Sequence, residues 1–220
     1  MRVSPCGFAA TSLDEAKTFA KAVTEVTHNH PEGIKGAEAT AVAVYLARSG
    51  KSMIEIRDYI ETHYYRIKFK LADIRANYTF DVSCQGSVPQ ALEAFFESTS
   101  FEDAIRNAVS IGGDSDTIAA ITGGIAEAYY GIPVDIRKLA LTFLDVKQLE
   151  ILNAFESRYG LVLEKDAGKG ITRAAAFSAE TDAPTGDRHD AMTEAVRVTE
   201  EAEHAGEVDE RETTANALYN

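Results

Sequence analysis

Apolar residues recur at helical spacing along most of the chain. Leu13, Ala16, Phe19, Ala20, Val23 and Val26 fall on one face behind Ser12-Leu13-Asp14-Glu15, which reads as a capping box. Residues 37–46 are a run of small and apolar side chains that Gly50 closes, a second helix. Ser52-Met53-Ile54-Glu55 is another capping box, followed by Met53, Ile56, Tyr59, Ile60, Tyr64 and Ile67 on one side. Ser87-Val88-Pro89 predicts a helix start, with proline in the first turn and Ala91, Leu92, Phe95 and Phe96 facing inward. Ser100-Phe101-Glu102-Asp103 starts a short helix. Residues 115–130 form a long one that Gly131-Ile132-Pro133 ends, and Asp145 caps a last helix stopped by Gly160. No alternating strand pattern competes with these. The expectation is an all-α, compact orthogonal multi-helix domain.

The pattern fades near the C-terminus. Residues 161–220 carry 14 acids against 6 bases and two aromatics, Phe177 and Tyr219, whereas 17 aromatics precede them. Such a segment buries too little apolar surface to offset the entropy of ordering it. The reading is a folded domain over 1–163 and a disordered acidic tail over 164–220. The whole chain of 220 residues has a net charge of −13, which disfavours binding to nucleic-acid phosphates. Two cysteines, Cys6 and Cys84, make no disulfide framework. No apolar run is long enough for a membrane span, and Met1-Arg2-Val3-Ser4-Pro5 lacks a signal-peptide core. A soluble, cytoplasmic protein with no membrane or nucleic-acid partner is expected.

The sharpest chemical feature is Ile111-Gly112-Gly113-Asp114-Ser115-Asp116-Thr117, where a loop becomes a helix. Two glycines allow close backbone approach to a ligand. Asp114, Asp116 and Thr117 offer hard oxygens suited to Mg²⁺, Mn²⁺ or Ca²⁺. The bland reading of the same residues is an ordinary helix N-cap with spare acids. His28-Asn29-His30 with Glu32 is a second candidate, either as a ligand-contacting histidine or as a polar turn between helices. Ser83-Cys84-Gln85-Gly86-Ser87 reads as a turn at a helix start in preference to a nucleophile site. The small face of Ala119, Ala120, Gly123, Gly124 and Ala126 reads as close helix packing. Tyr64-Tyr65 and Tyr129-Tyr130 read as pairs divided between core and rim.

The segment from Gly112 to Ala119, with Gly123-Gly124-Ile125-Ala126 and Ala128-Tyr129-Tyr130-Gly131, resembles the C-terminal signature of the ADP-ribosylglycohydrolases of the dinitrogenase-reductase-activating type. Thr27-His28, Gly33-Ile34-Lys35-Gly36-Ala37 and Ser87-Val88-Pro89-Gln90-Ala91-Leu92 are similar to that family's intermediate landmarks, in order. The resemblance covers about residues 1–160. It implies an all-helical fold, a pair of Mg²⁺ or Mn²⁺ ions, and hydrolysis of the bond joining ADP-ribose to a protein side chain or small acceptor. It implies Asp114, Asp116 and Thr117 as metal ligands. It also implies His28 and the backbone of Gly112, Gly113 and Ser115 as the lining of the ADP-ribose pocket.

The same resemblance implies what the chain does not carry. Family members have, further upstream, a Gly-Asp-Ala-type segment, a Thr-Asp-Asp segment with the remaining metal ligands, and an acidic residue acting on water. On this reading the chain is N-terminally truncated at an internal methionine, and the catalytic residue is unknown. Two functions follow: a hydrolase completed by another chain that supplies the N-terminal part, or a non-catalytic remnant that binds nucleotide or a partner weakly. Independent of any family, a small acidic helical protein whose Asp cluster only caps a helix is the third.

Overall fold

The computed structural model describes residues 1–159, which hold ten helices and, among those residues, no strand. They are α1 (Ser4–Ala9), α2 (Leu13–Glu25), α3 (Pro31–Arg48), α4 (Met53–His63), α5 (Leu71–Ile74), α6 (Cys84–Phe96), α7 (Phe101–Ser110), α8 (Ser115–Tyr130), α9 (Val134–Leu141) and α10 (Val146–Tyr159). The all-α expectation holds. The acidic tail expected over 164–220, and Gly160 as a stop, lie outside the described residues.

Local chemistry sets the helix ends. Ser52 Oγ accepts from the Glu55 N–H and the Glu55 carboxylate accepts from the Ser52 N–H, a complete capping box. At Ser12 the box is shifted. Ser12 Oγ accepts from the Glu15 N–H at 3.1 Å, but the Glu15 carboxylate reaches one residue further back, to the Thr11 N–H and hydroxyl. Ser100 caps α7, and Asp145 with Gln148 forms a reciprocal pair at the start of α10. Gly131, at φ 75°, ends α8 as expected.

Two expected starts move. α3 begins at Pro31, not near residue 37, because His30 serves as N-cap and its Nδ1 accepts from the Glu32 N–H at 3.2 Å. The 29–33 segment is thus half turn and half helix. α6 begins at Cys84 under a Ser83 cap, which places Pro89 inside the helix rather than in its first turn. The cap decides here: Ser83 Oγ satisfies the Gly86 N–H at 3.0 Å, and Ser87 Oγ returns to the Ser83 carbonyl at 2.8 Å. Tyr64 and Tyr65 lie beyond the end of α4, Tyr64 half-buried and Tyr65 buried, whereas Tyr129 and Tyr130 are both half-buried on α8.

Helices α3, α6 and α8 pack against one another at the centre, with α1 and α2 laid on α3 and α7 on α6 and α8. Phe95, Leu92, Ile118, Ile125, Val42, Val44, Ile56, Ile60 and Leu71 are all fully buried between them. The approach is close because the facing residues are small. A side chain at Gly7 of α1 would strike the Ala41 carbonyl and Val44 of α3, and one at Gly124 of α8 would strike Ser4. Gly123, Gly124 and Ala126 of the small-residue face are thus packing surface, whereas Ala120 is exposed. Buried polar groups are satisfied within the centre: Thr40 Oγ1 donates to the Gly36 carbonyl and Thr122 Oγ1 to the Ala91 carbonyl, each at 2.9 Å. Glu93 is buried and held by Arg57 at 2.6 Å and Lys70 at 2.8 Å. No described helix is long and apolar enough to cross a membrane.

Candidate functional site

The Gly112-Gly113-Asp114 turn joins α7 to α8, and both glycines have positive φ, 77° and 64°. Their surroundings differ. A Cβ on Gly112 would meet nothing, so the backbone there faces open space. A Cβ on Gly113 would enter the ring of Tyr78 and come 3.0 Å from the Thr79 carbonyl. Tyr78 is itself pinned by donating its hydroxyl to the Gly86 carbonyl at 2.6 Å, in the first turn of α6. One face of the turn is thus fixed against the 78–79 segment and the other is open to a ligand.

Asp114 is the N-cap residue of α8, yet its carboxylate makes no capping hydrogen bond. The Thr117 N–H is taken by Asp116 Oδ1 at 2.8 Å instead. Side chains two residues apart diverge inside a regular helix. Asp114 lies outside the helix, with φ −80° and ψ 61°, and this bend brings its carboxyl within hydrogen-bonding reach of Asp116. That proximity raises the pKa of Asp114 and lowers that of Asp116: one carboxyl holds a proton against the other. The Thr117 hydroxyl works the other way on Asp114 and favours its charged form.

No ion pair joins Asp114 or Asp116 to a lysine or arginine among the described residues. A half-buried carboxylate, Asp114, and an exposed one, Asp116, converge beside a hydroxyl with no lysine or arginine between them. Hard oxygen donors of this kind fit Mg²⁺ or Mn²⁺. No third Asp, Glu, His or Cys among the described residues joins them. The first-turn Thr117 N–H is served by Asp116, and the Asp114 side chain makes no capping hydrogen bond of its own.

His28 lies in the connection between α2 and α3, exposed, with Nδ1 2.8 Å from Thr27 Oγ1. Arg2 donates to that same hydroxyl and to the Val23 carbonyl at 3.2 Å. Met1 lies within electrostatic reach of Asp114 and Cys84. The first two residues therefore run between the acidic turn and the His28 loop, though no hydrogen bond or ion pair links His28 to Asp114, Asp116 or Thr117. His30 Nδ1 is taken up as the α3 cap. Burial pushes the Cys84 thiol above its ordinary range, away from the thiolate a nucleophile needs. A separate cleft of about 260 Å³, lined by Phe101, Tyr130, Ile132 and Pro133, opens at the opposite end of α8.

Sequence reasoning missed Tyr78. It sits in an irregular stretch with no periodicity, and its tie to Gly113 spans 35 positions.

Comparison with known proteins places the chain in a family. The model of the ADP-ribosylglycohydrolase family matches residues 1–161. An uncharacterized protein of Archaeoglobus fulgidus is 32% identical over 144 residues, covering 58% of this chain and 47% of its own. ADP-ribosylhydrolase ARH3 of Homo sapiens is 27% identical over 179 residues, with 60% of this chain and 49% of the relative covered. The Bos taurus ARH3 is 25% identical with the same coverage. The chain spans about half the length of the curated relatives it matches.

Proposed function

The chain belongs to the ADP-ribosylglycohydrolase family, and from that premise we propose that it takes part in hydrolysing the glycosidic bond between ADP-ribose and a modified protein side chain or small acceptor. Asp114, Asp116 and Thr117 are the proposed ligands for Mg²⁺ or Mn²⁺. His28, Ser115 and the backbone of Gly112 and Gly113 are the proposed contacts to ADP-ribose. The observation that carries this reading is the convergence of the Asp114 and Asp116 carboxyls, without a cationic side chain, at the start of α8.

The charge pattern requires a cation for such a ligand. The first-turn N–H groups of α8 attract an anion, but two carboxylates beside them repel a diphosphate. A divalent ion held there would reverse that sign, orient the ribose hydroxyls and a water, and offset charge developing as the bond breaks. The open side of Gly112 admits the ligand against main chain. Gly113 keeps the turn seated on Tyr78 while it does so. His28 donates to a ligand oxygen from the adjoining loop.

Two octahedral ions take about twelve ligand positions. Asp114, Asp116 and Thr117 fill few of them, so the remaining ligands and the acid acting on water belong to other residues or another chain. This shortage also favours a second reading, in which the chain binds nucleotide without hydrolysing it.

Release of ADP-ribose from ADP-ribosylated serine and arginine peptides separates the two. We expect no release by the chain alone above buffer. Mixed with the complementary half of a full-length relative, it should release ADP-ribose only with Mg²⁺ or Mn²⁺, and Asp114→Asn should abolish that release. Docked halves that bind ADP-ribose but release none from the peptides would favour the binding reading.

A further inference from the structure

A short relay that starts at Arg2 holds the His28 ring. Arg2 Nη2 donates to the Val23 carbonyl at 3.2 Å and to Thr27 Oγ1, and Thr27 Oγ1 stands 2.8 Å from His28 Nδ1. The backbone beneath is fixed: the N–H groups of Thr27 and His28 both reach the Thr24 carbonyl, at 3.2 and 2.8 Å. Across the loop, a side chain at Gly33 would come 2.9 Å from the His28 carbonyl. The backbone that carries the ring is therefore held on both sides.

Hydrogen inventory sets the polarity of the relay. A guanidinium only donates, so one lone pair of the Thr27 hydroxyl is taken by Arg2. The hydroxyl keeps one proton to give, and His28 Nδ1 is the acceptor in reach. With the hydroxyl proton given to Nδ1, Nδ1 carries none of its own, and in the neutral imidazole the proton resides on Nε2. Nε2 makes no hydrogen bond to any described residue. We propose that Thr27, oriented by Arg2, is a positioning residue that presents His28 Nε2–H outward as a donor to an anionic oxygen of the bound nucleotide. This rests on the reading of His28 as a nucleotide contact. The proposal adds what fixes the ring and which nitrogen donates.

All three residues are exposed, so substitutions here spare the core. Long-range ¹H–¹⁵N NMR of the His28 ring at about pH 8.5, where imidazole is neutral, should show Nδ1 as an unprotonated, hydrogen-bonded acceptor in wild type. Thr27→Ser should keep that signature, while Thr27→Val and Arg2→Met should weaken or lose it. In calorimetry with ADP-ribose, Thr27→Val should bind about fivefold more weakly, the worth of one net hydrogen bond, and Thr27→Ser should restore affinity. A protonated Nδ1 in wild type, or an unchanged Nδ1 signal in Thr27→Val, overturns the relay. A changed signal with unchanged ADP-ribose affinity overturns the outward-donor role. If wild type binds no ADP-ribose, the functional reading fails, and the NMR measurement still decides the relay.

Discussion

The ring of Tyr78 occupies the space where a Cβ on Gly113 would stand. Gly113 is thereby constrained twice, by its φ of 64° and by its neighbour, whereas Gly112 at φ 77° is constrained only by its backbone. Gly112→Ala should cost about 1–2 kcal/mol, the penalty of a left-handed alanine. Gly113→Ala should cost more, since Tyr78 must also move. The double variant Gly113→Ala with Tyr78→Ala should recover the steric part. Thermal melts of the four proteins check this; equal losses for the two single glycine variants would mean that Tyr78 yields freely.

Glu93 supports a different prediction. Its carboxylate is buried, with Arg57 at 2.6 Å and Lys70 at 2.8 Å, and the Arg57 guanidinium also lies 4.3 Å from the Phe96 ring centre. Removing a partner leaves a buried charge poorly compensated, so Arg57→Ala should destabilise by about 3 kcal/mol. Lys70 is 62% exposed, and Lys70→Ala should cost less, about 1 kcal/mol. Urea denaturation measures both. A larger loss at Lys70 would reverse the assigned order of the two cations.

The elements legible in sequence were those whose signals are local. α8 carries a long run of small and apolar residues and a terminal glycine, and its bounds came out as read. The Ser52 capping box is likewise complete within four residues. α1, with six residues, and α5, with four, are too short for periodicity to register, and tertiary packing makes them: Gly7 seats α1 on Ala41 and Val44. The α6 start was misplaced because proline prefers the first turn, yet a competing Ser83 cap lies six residues earlier. At the site, the Asp114-x-Asp116 spacing was visible, but the backbone bend that turns the two carboxyls together was not, because helical geometry alone would separate them.

Glu55 gives a pH prediction. Lys51 Nζ at 2.8 Å, with the Ser52 N–H and hydroxyl each at 2.9 Å, holds its carboxyl down to about 2. An unfolded glutamate titrates near about 4.3. The depressed group therefore contributes stability that is present above about 4.3 and lost as pH falls toward about 2. Glu55→Gln keeps an acceptor for the Ser52 N–H but removes the titration. Its Tm should fall less steeply than that of wild type between about pH 5 and pH 2. Parallel acid profiles would show that the Glu55 charge adds nothing to the box.

The acidic turn gives the last prediction, which separates a ligand pair from a helix-terminal pair. If Asp114 and Asp116 hold a cation, Mn²⁺ should raise the melting temperature, because binding to the folded state alone stabilises it. At a hundredfold excess over Kd the gain is about 2.7 kcal/mol, roughly 5–10 °C for a chain of this size. Asp114→Asn and Asp116→Asn should each remove most of that shift. Asp14→Asn, at a side chain 95% exposed on α2, should leave it intact. Without metal the two roles also part. A helix-terminal acid lost from the first turn of α8 costs about 0.3–1 kcal/mol. Losing one of two adjoining like charges offsets that cost, so metal-free Asp116→Asn should melt close to wild type. An Asp116→Asn protein that melts lower without Mn²⁺, and gains as much from Mn²⁺ as wild type does, would make Asp116 a helix-terminal acid and place the cation elsewhere.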